Sequence, residues 1–353
     1  MQPRGEAAHD EATRGETAHG ETAHGEAAQM QLRREPERGY RREYPVPTRP
    51  IDTEATRTYY GVPLLKEPVW IGAVPLYFWI GGAAGAAATL SSVARLVGGR
   101  ELLPLARRAR LLAAAGDTVG AALLTYDLGR PTRFYNMLRV FNPRSPMSVG
   151  SWVLAASGAA NTGAALLGRR GGFLGAIGGL FGAVGGLLGM PLSGYTAVLL
   201  ANTAVPVWNG TRRSLPLLFM ASSVATAGSL LSLAAESERE RAVADRFALA
   251  GKVGELAATV ALHREARAAS PRVARPLTRG RSGTLMTAAT VLTAASVLAS
   301  IVPGRSRRRA RNAAILGALG SLAMRFAIHH AGKASSRDPE AAVGPQREKI
   351  AAR

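Results

Sequence analysis

Tyr126-Asp-Leu-Gly-Arg-Pro-Thr-Arg-Phe-Tyr-Asn-Met-Leu-Arg-Val-Phe-Asn-Pro-Arg-Ser-Pro-Met-Ser-Val-Gly-Ser-Trp152 is a polar stretch held between two apolar ones, and its reading decides what the rest of the chain is. It carries one carboxylate (Asp127), four arginines (Arg130, Arg133, Arg139, Arg144) and five aromatic rings (Tyr126, Phe134, Tyr135, Phe141, Trp152). Pro131, Pro143 and Pro146 each disfavour helix at the preceding residue, and Ser148 sits where it can cap the helix that follows. A cationic loop edged by aromatic rings is what membrane proteins place at the level of the lipid headgroups.

Outward from this loop the chain reads as apolar runs of about 20 residues, long enough at ~1.5 Å per residue to cross a ~30 Å hydrocarbon layer. Eight such segments lie at about 69–96, 108–128, 149–168, 173–202, 214–235, 242–263, 284–303 and 310–331. The expected fold is therefore all-α: a polytopic membrane protein with a bundle of about eight transmembrane helices at 69–331. The second segment, with Asp117, and the sixth, with Asp245, Lys252 and Glu255, are the least apolar. The fourth is rich in glycine, with several pairs four apart between Gly175 and Gly189, a spacing that lets helix backbones approach closely in lipid. Pro191 follows and is expected to kink that helix.

The 353 residues carry 44 Lys plus Arg against 24 Asp plus Glu, a formal charge of +20. In a soluble protein that excess would point to nucleic acid. Here it sits mostly in short loops between apolar runs, facing membrane lipid, so no nucleic-acid partner is expected. The loops on the two sides carry about 14 and about 12 basic residues, too small a difference to choose an orientation. There is no cysteine, so the chain can hold no thiolate metal site and no cysteine-ligated iron–sulfur cluster.

Residues 1–68 read as a disordered polar tail. It has 10 basic and 12 acidic residues and a five-residue repeat around Gly-Glu-Thr-Ala-His. It lacks the apolar core of a signal peptide, and its histidines (His9, His19, His24) are spaced as flexible tail, not as a metal site. A second polar tail is expected at 332–353.

Asp127-Leu-Gly-Arg-Pro-Thr-Arg-Phe134 with Asn136 to Trp152 resembles the signature of the polysulfide reductase membrane-subunit family, the NrfD family. Gly194-Tyr-Thr-Ala-Val-Leu-Leu-Ala-Asn-Thr-Ala-Val-Pro-Val-Trp-Asn209 and Leu215 to Ser223 give a second match, departing where Ala197 replaces the family's usual glycine. Trp70 to Ala86 and Met324 to Gly332 are similar to the family's first and last helices, so the resemblance spans about 67–333.

The resemblance implies a multi-pass subunit of the cell membrane that anchors an oxidoreductase complex and exchanges electrons between a quinone, menaquinone or ubiquinone, and a ferredoxin-like iron–sulfur subunit. A molybdenum-containing catalytic subunit often completes such complexes, so the chain is not expected to be catalytic alone. Haem is not expected, because His263, His329 and His330 all stand at segment ends.

A quinone headgroup needs donors to its carbonyl oxygens and a proton acceptor. Segment parity brings Asp127, Arg130 and Arg133 to the same face as Tyr195. Tyr195 is either a donor to a carbonyl oxygen or an interfacial belt tyrosine; Asp127 either takes a proton or bridges to Arg130.

Charges inside the bundle form a second group: Asp117, Lys252, Glu255 and Arg325. Each is costly in lipid unless paired or wetted, so they are either buried ion pairs or steps of a proton path. Asp117 could pair with Arg325, and Lys252 could neutralise Glu255, which lies with Asp245 on one helical face. Asn161 reads as a helix-to-helix hydrogen bond. Two alternatives stay open: a secondary transporter or ion-translocating protein, although segments one to four show no convincing likeness to five to eight, and an anchor without a working quinone site.

Overall fold

The computed structural model describes residues 65–129, 132–302 and 306–343; nearly all of the expected N-terminal tail and the last part of the C-terminal one, from 344, lie outside them. The described elements are helical: α1 (Ala73–Val97), α2 (Leu103–Asp127), α3 (Thr132–Arg139), α4 (Pro146–Leu167), α5 (Gly172–Ala201), α6 (Pro206–Gly210), α7 (Ser214–Ala234), α8 (Glu238–Ala269), α9 (Pro271–Thr278), α10 (Gly280–Ile301) and α11 (Arg307–Ser336). Five of them, α1, α5, α7, α10 and α11, are long and apolar enough to cross a membrane. Helices α2, α4 and α8 are of similar length, 25, 22 and 32 residues; α2 and α8 carry charged side chains along their length, whereas α4 carries none.

Helix boundaries follow capping chemistry more closely than hydropathy. Helix α8 begins at Glu238, ahead of the apolar run, because Ser237 accepts a hydrogen bond from the Glu240 amide (3.2 Å) and two glutamates meet the positive end of the helix. Helix α11 ends at Ser336 rather than at 331; Ala331, Gly332, Ser335 and Ser336 are buried, so the first turn of the expected tail is packed helix.

In the decisive loop, Ser145 rather than Ser148 caps α4, accepting from the Ser148 amide at 3.4 Å, and Pro146 fits the first turn, where no amide hydrogen is needed. Ser148 instead folds the loop: its hydroxyl donates to the Val140 carbonyl (3.2 Å) and accepts from the Asn142 amide (3.0 Å). The loop also contains a helix of its own, α3, which the sequence pattern did not announce.

Sequential helices pack as pairs, α1 on α2, α4 on α5, α7 on α8 and α10 on α11, and α1 and α7 also meet α5 and α11. Glycine sets the closest approaches. A Cβ on Gly85 would come within 2.3 Å of the Gly189 carbonyl, and one on Gly189 within 2.2 Å of the Gly85 carbonyl, so α1 and α5 touch backbone to backbone. The same holds between α7 and α8, where Gly228 faces Ala248 and Gly251 faces Ala225. On the other side of α5, Phe173, Leu180 and Leu187 stand exposed at seven-residue spacing, an apolar stripe suited to lipid.

The largest buried cluster joins Tyr77 and Phe78 of α1 to Leu192 of α5, Leu218 and Phe219 of α7, and Met324 and Ile328 of α11. Trp208 of α6 closes it: fully buried, it donates to the Ile328 carbonyl (2.9 Å) and stacks on Trp70 with centroids 5.6 Å apart.

Candidate functional site

At the end of the bundle where α1 starts and α2 and α5 finish, two of the expected residues are placed by backbone contacts. Asp127, the last residue of α2, accepts from the Ile71 amide at 3.4 Å, which ties the loop to the approach of α1. Tyr195, two turns from the end of α5, accepts at its hydroxyl from the Gly150 amide of α4 (2.9 Å). Only glycine permits this, since a Cβ at position 150 would lie 1.9 Å from the tyrosine ring. A phenol that accepts one bond still carries its own hydrogen, and that hydrogen meets no acceptor among the described residues. Arg130 lies outside the described residues, and Arg133 is placed only by its position in α3.

Tyr77 joins this group, although as a lone tyrosine in an apolar run it carries no signal in the sequence. It is buried in α1, its ring packs on the bare backbones of Gly81 and Gly120, and it is close enough to interact electrostatically with both Asp117 and Tyr195. Ala197, the departure from the family pattern, is fully buried in the main core cluster.

Deeper in the bundle Asp117 is 2% exposed. Its Oδ2 accepts from Asn161 (2.8 Å) and Ser157 (3.1 Å) of α4, while its Oδ1 has no partner. Asn161 thus makes the helix-to-helix bond expected of it. Arg110, two turns earlier in α2 and also buried, donates to the Ala164 carbonyl (3.2 Å). It escaped the sequence reading because it belongs to a run of arginines that looks like a solvated helix end.

Arg325 does not reach Asp117; each is bonded elsewhere. Fully buried in α11, Arg325 donates from one nitrogen to the Phe219 carbonyl (2.8 Å) and the Ser223 hydroxyl (2.9 Å) of α7, and its guanidinium carbon lies 3.7 Å from the centre of the Phe219 ring. Its other two nitrogens have no partner. Glu255 accepts from Ser321 (2.7 Å), and Lys252 donates to the Ala313 carbonyl (3.3 Å). Glu255 also lies within electrostatic reach of both Arg325 and Lys252. Asp245, on the same helix, accepts from Ser232 of α7 (2.7 Å).

Chemically, the end of the bundle that holds Asp127 offers a phenol with a hydrogen to give and a carboxylate able to take one. The interior offers charged groups hydrogen-bonded to polar side chains and carbonyls, with Glu255, Lys252 and Arg325 within electrostatic reach. No group of three or more His, Cys, Asp or Glu suited to a metal ion occurs among the described residues.

The model of a family described as polysulfide reductase, NrfD_2, matches residues 56–337, a stretch that contains every helix from α1 to α11. None of the curated proteins matches the chain.

Proposed function

The chain belongs to the NrfD_2 polysulfide reductase family, membrane subunits of oxidoreductase complexes, and from that premise we propose that it exchanges electrons between a quinone of the cell membrane and an iron–sulfur partner. The observation that carries the reading is the Tyr195 hydroxyl, fixed by the Gly150 amide with its hydrogen left to give, at the end of the bundle that also holds Asp127. In this proposal all eight long helices cross the membrane, with α2, α4 and α8 keeping their polar side chains toward neighbouring helices.

Tyr195 would donate to a carbonyl oxygen of the headgroup, Arg130 and Arg133 would hold its polar edge from the loop, and Asp127 would accept a proton. Bound there, a quinol supplies two electrons and two protons. With no cysteine in the chain, the electrons pass to a cluster on a ferredoxin-like subunit, and a molybdenum-containing subunit is the expected catalytic partner. Asp117, Lys252, Glu255 and Arg325 would either line a path for the released protons, with the carboxylates as acceptors, or serve as buried ionic anchors.

The test is quinol-dependent reduction of the partner's clusters in the intact complex. Tyr195→Phe combined with Asp127→Asn is expected to depress it by about a hundredfold, the lower end of the range for losing a positioned proton donor or acceptor; normal turnover would refute the site. The unpartnered atoms of Asp117 and Arg325 favour one rival reading, ion translocation by this chain. Uptake of protons or a solute into liposomes containing the chain alone would decide for it.

A further inference from the structure

At the end of the bundle opposite Tyr195, a cavity of about 190 Å³ opens where α7 finishes and α8 and α11 begin, lined by Ser232, Leu233, Arg241, Arg307, Arg308, Ala310 and Arg311. Four guanidinium groups around one small cavity repel each other, and three of them also sit in or next to the first turn of α11, where the helix dipole disfavours cations. The fold provides little relief. No acidic residue stands in that first turn, and Arg307, Arg308 and Arg311 make no ion pair among the described residues. Arg241 donates to the Ala235 carbonyl (2.9 Å), and Ser232 of the lining donates to Asp245 (2.7 Å). Helix α8, which starts at the same end, has a serine cap as α11 does, but it sets two glutamates in its first turn where α11 sets arginines.

We propose that this cavity binds a phosphate group, and that the phosphate belongs to an anionic phospholipid. The guanidinium fork matches phosphate oxygens, and α11 presents its first amides beside them. The site sits where three helices apolar enough to span a membrane (α7, α10 and α11) begin or end, which is headgroup level. Leu233 gives the lining an apolar side chain that is more than two-fifths exposed, and Ile301 and Val302, exposed to the same extent, end α10 on the same side of the bundle. A free phosphate has no use for these apolar side chains, whereas acyl chains do.

The purified full-length protein in detergent would be titrated with phosphatidylglycerol, with phosphatidylcholine and with inorganic phosphate, reading bound lipid by native mass spectrometry and the thermal unfolding midpoint. Phosphatidylglycerol alone is expected to bind tightly and raise the midpoint. The triple variant Arg307→Gln, Arg308→Gln, Arg311→Gln should weaken this binding on the order of a hundredfold. Arg169→Gln with Arg170→Gln, two exposed arginines between α4 and α5, should leave it intact. Equal binding of both lipids, or retention of phosphatidylglycerol by the triple variant, would overturn the site. A midpoint shift by inorganic phosphate as large as that by lipid would overturn the lipid assignment. If the triple variant misfolds, Arg311→Gln alone, expected to weaken binding about fivefold, decides instead.

Discussion

Gly150 and Tyr195 act as one unit, because the glycine is what allows the phenol to reach the α4 backbone. Gly150→Ala should therefore reproduce the loss of quinol-linked turnover expected of Tyr195→Phe while the protein still folds, measured as turnover per mole of assembled complex. Asp117 permits a separate test of stability. Removing Asn161 as alanine strips the buried carboxylate of its shorter bond and should cost about 1–2 kcal/mol, seen as a lower unfolding midpoint in detergent. At this scale the sequence was only partly legible. Tyr195, Asp127 and Asn161 stand out as polar groups in conspicuous places, but the partners that define them, a backbone amide at Gly150 and the ring of Tyr77, are contacts between distant segments that no local pattern encodes. The pairing of Asp117 with Arg325 was a reasonable expectation from charge alone. It fails because each group is held by bonds to neighbouring helices, Asp117 by the Asn161 amide and Ser157 hydroxyl of α4 and Arg325 by the Phe219 carbonyl and Ser223 hydroxyl of α7.

Among the elements, the apolar runs located eight long helices but not their ends. Hydropathy reports where a helix meets lipid, whereas the hydrogen-bond ladder continues until a cap or a proline stops it. The first turn of α8 and the last of α11 were lost for that reason, and so was α3, too short and polar for a periodic signal. The cap of α4 is a direct check. Ser145→Ala should destabilise by about 1 kcal/mol through the loss of the cap, read from the unfolding midpoint. Helix crossings respond more sharply. Gly189→Leu would drive a side chain into the α1 backbone and should cost on the order of 3 kcal/mol or prevent folding, measured by yield of monodisperse protein.

For the molecule as a whole, the proposed function puts the redox metals on other subunits, because a chain without cysteine holds no cysteine-ligated cluster. Affinity purification through this chain from gently solubilised membranes should bring down an iron-containing partner. The chain expressed without it should show no quinol oxidation by electron acceptors added to the medium. The family and the all-helical membrane class were legible from the motif loop and the hydropathy together, because both are properties of continuous sequence.

The backbone contacts of α1 with α5 and of α7 with α8 limit how this protein can move. Carbonyls and amides pressed together across a seam leave no lubricating side chains, so neither pair can slide or hinge without collision. Any rearrangement must therefore carry the members of each pair together, and cross-links placed along either seam should leave the protein's activity untouched.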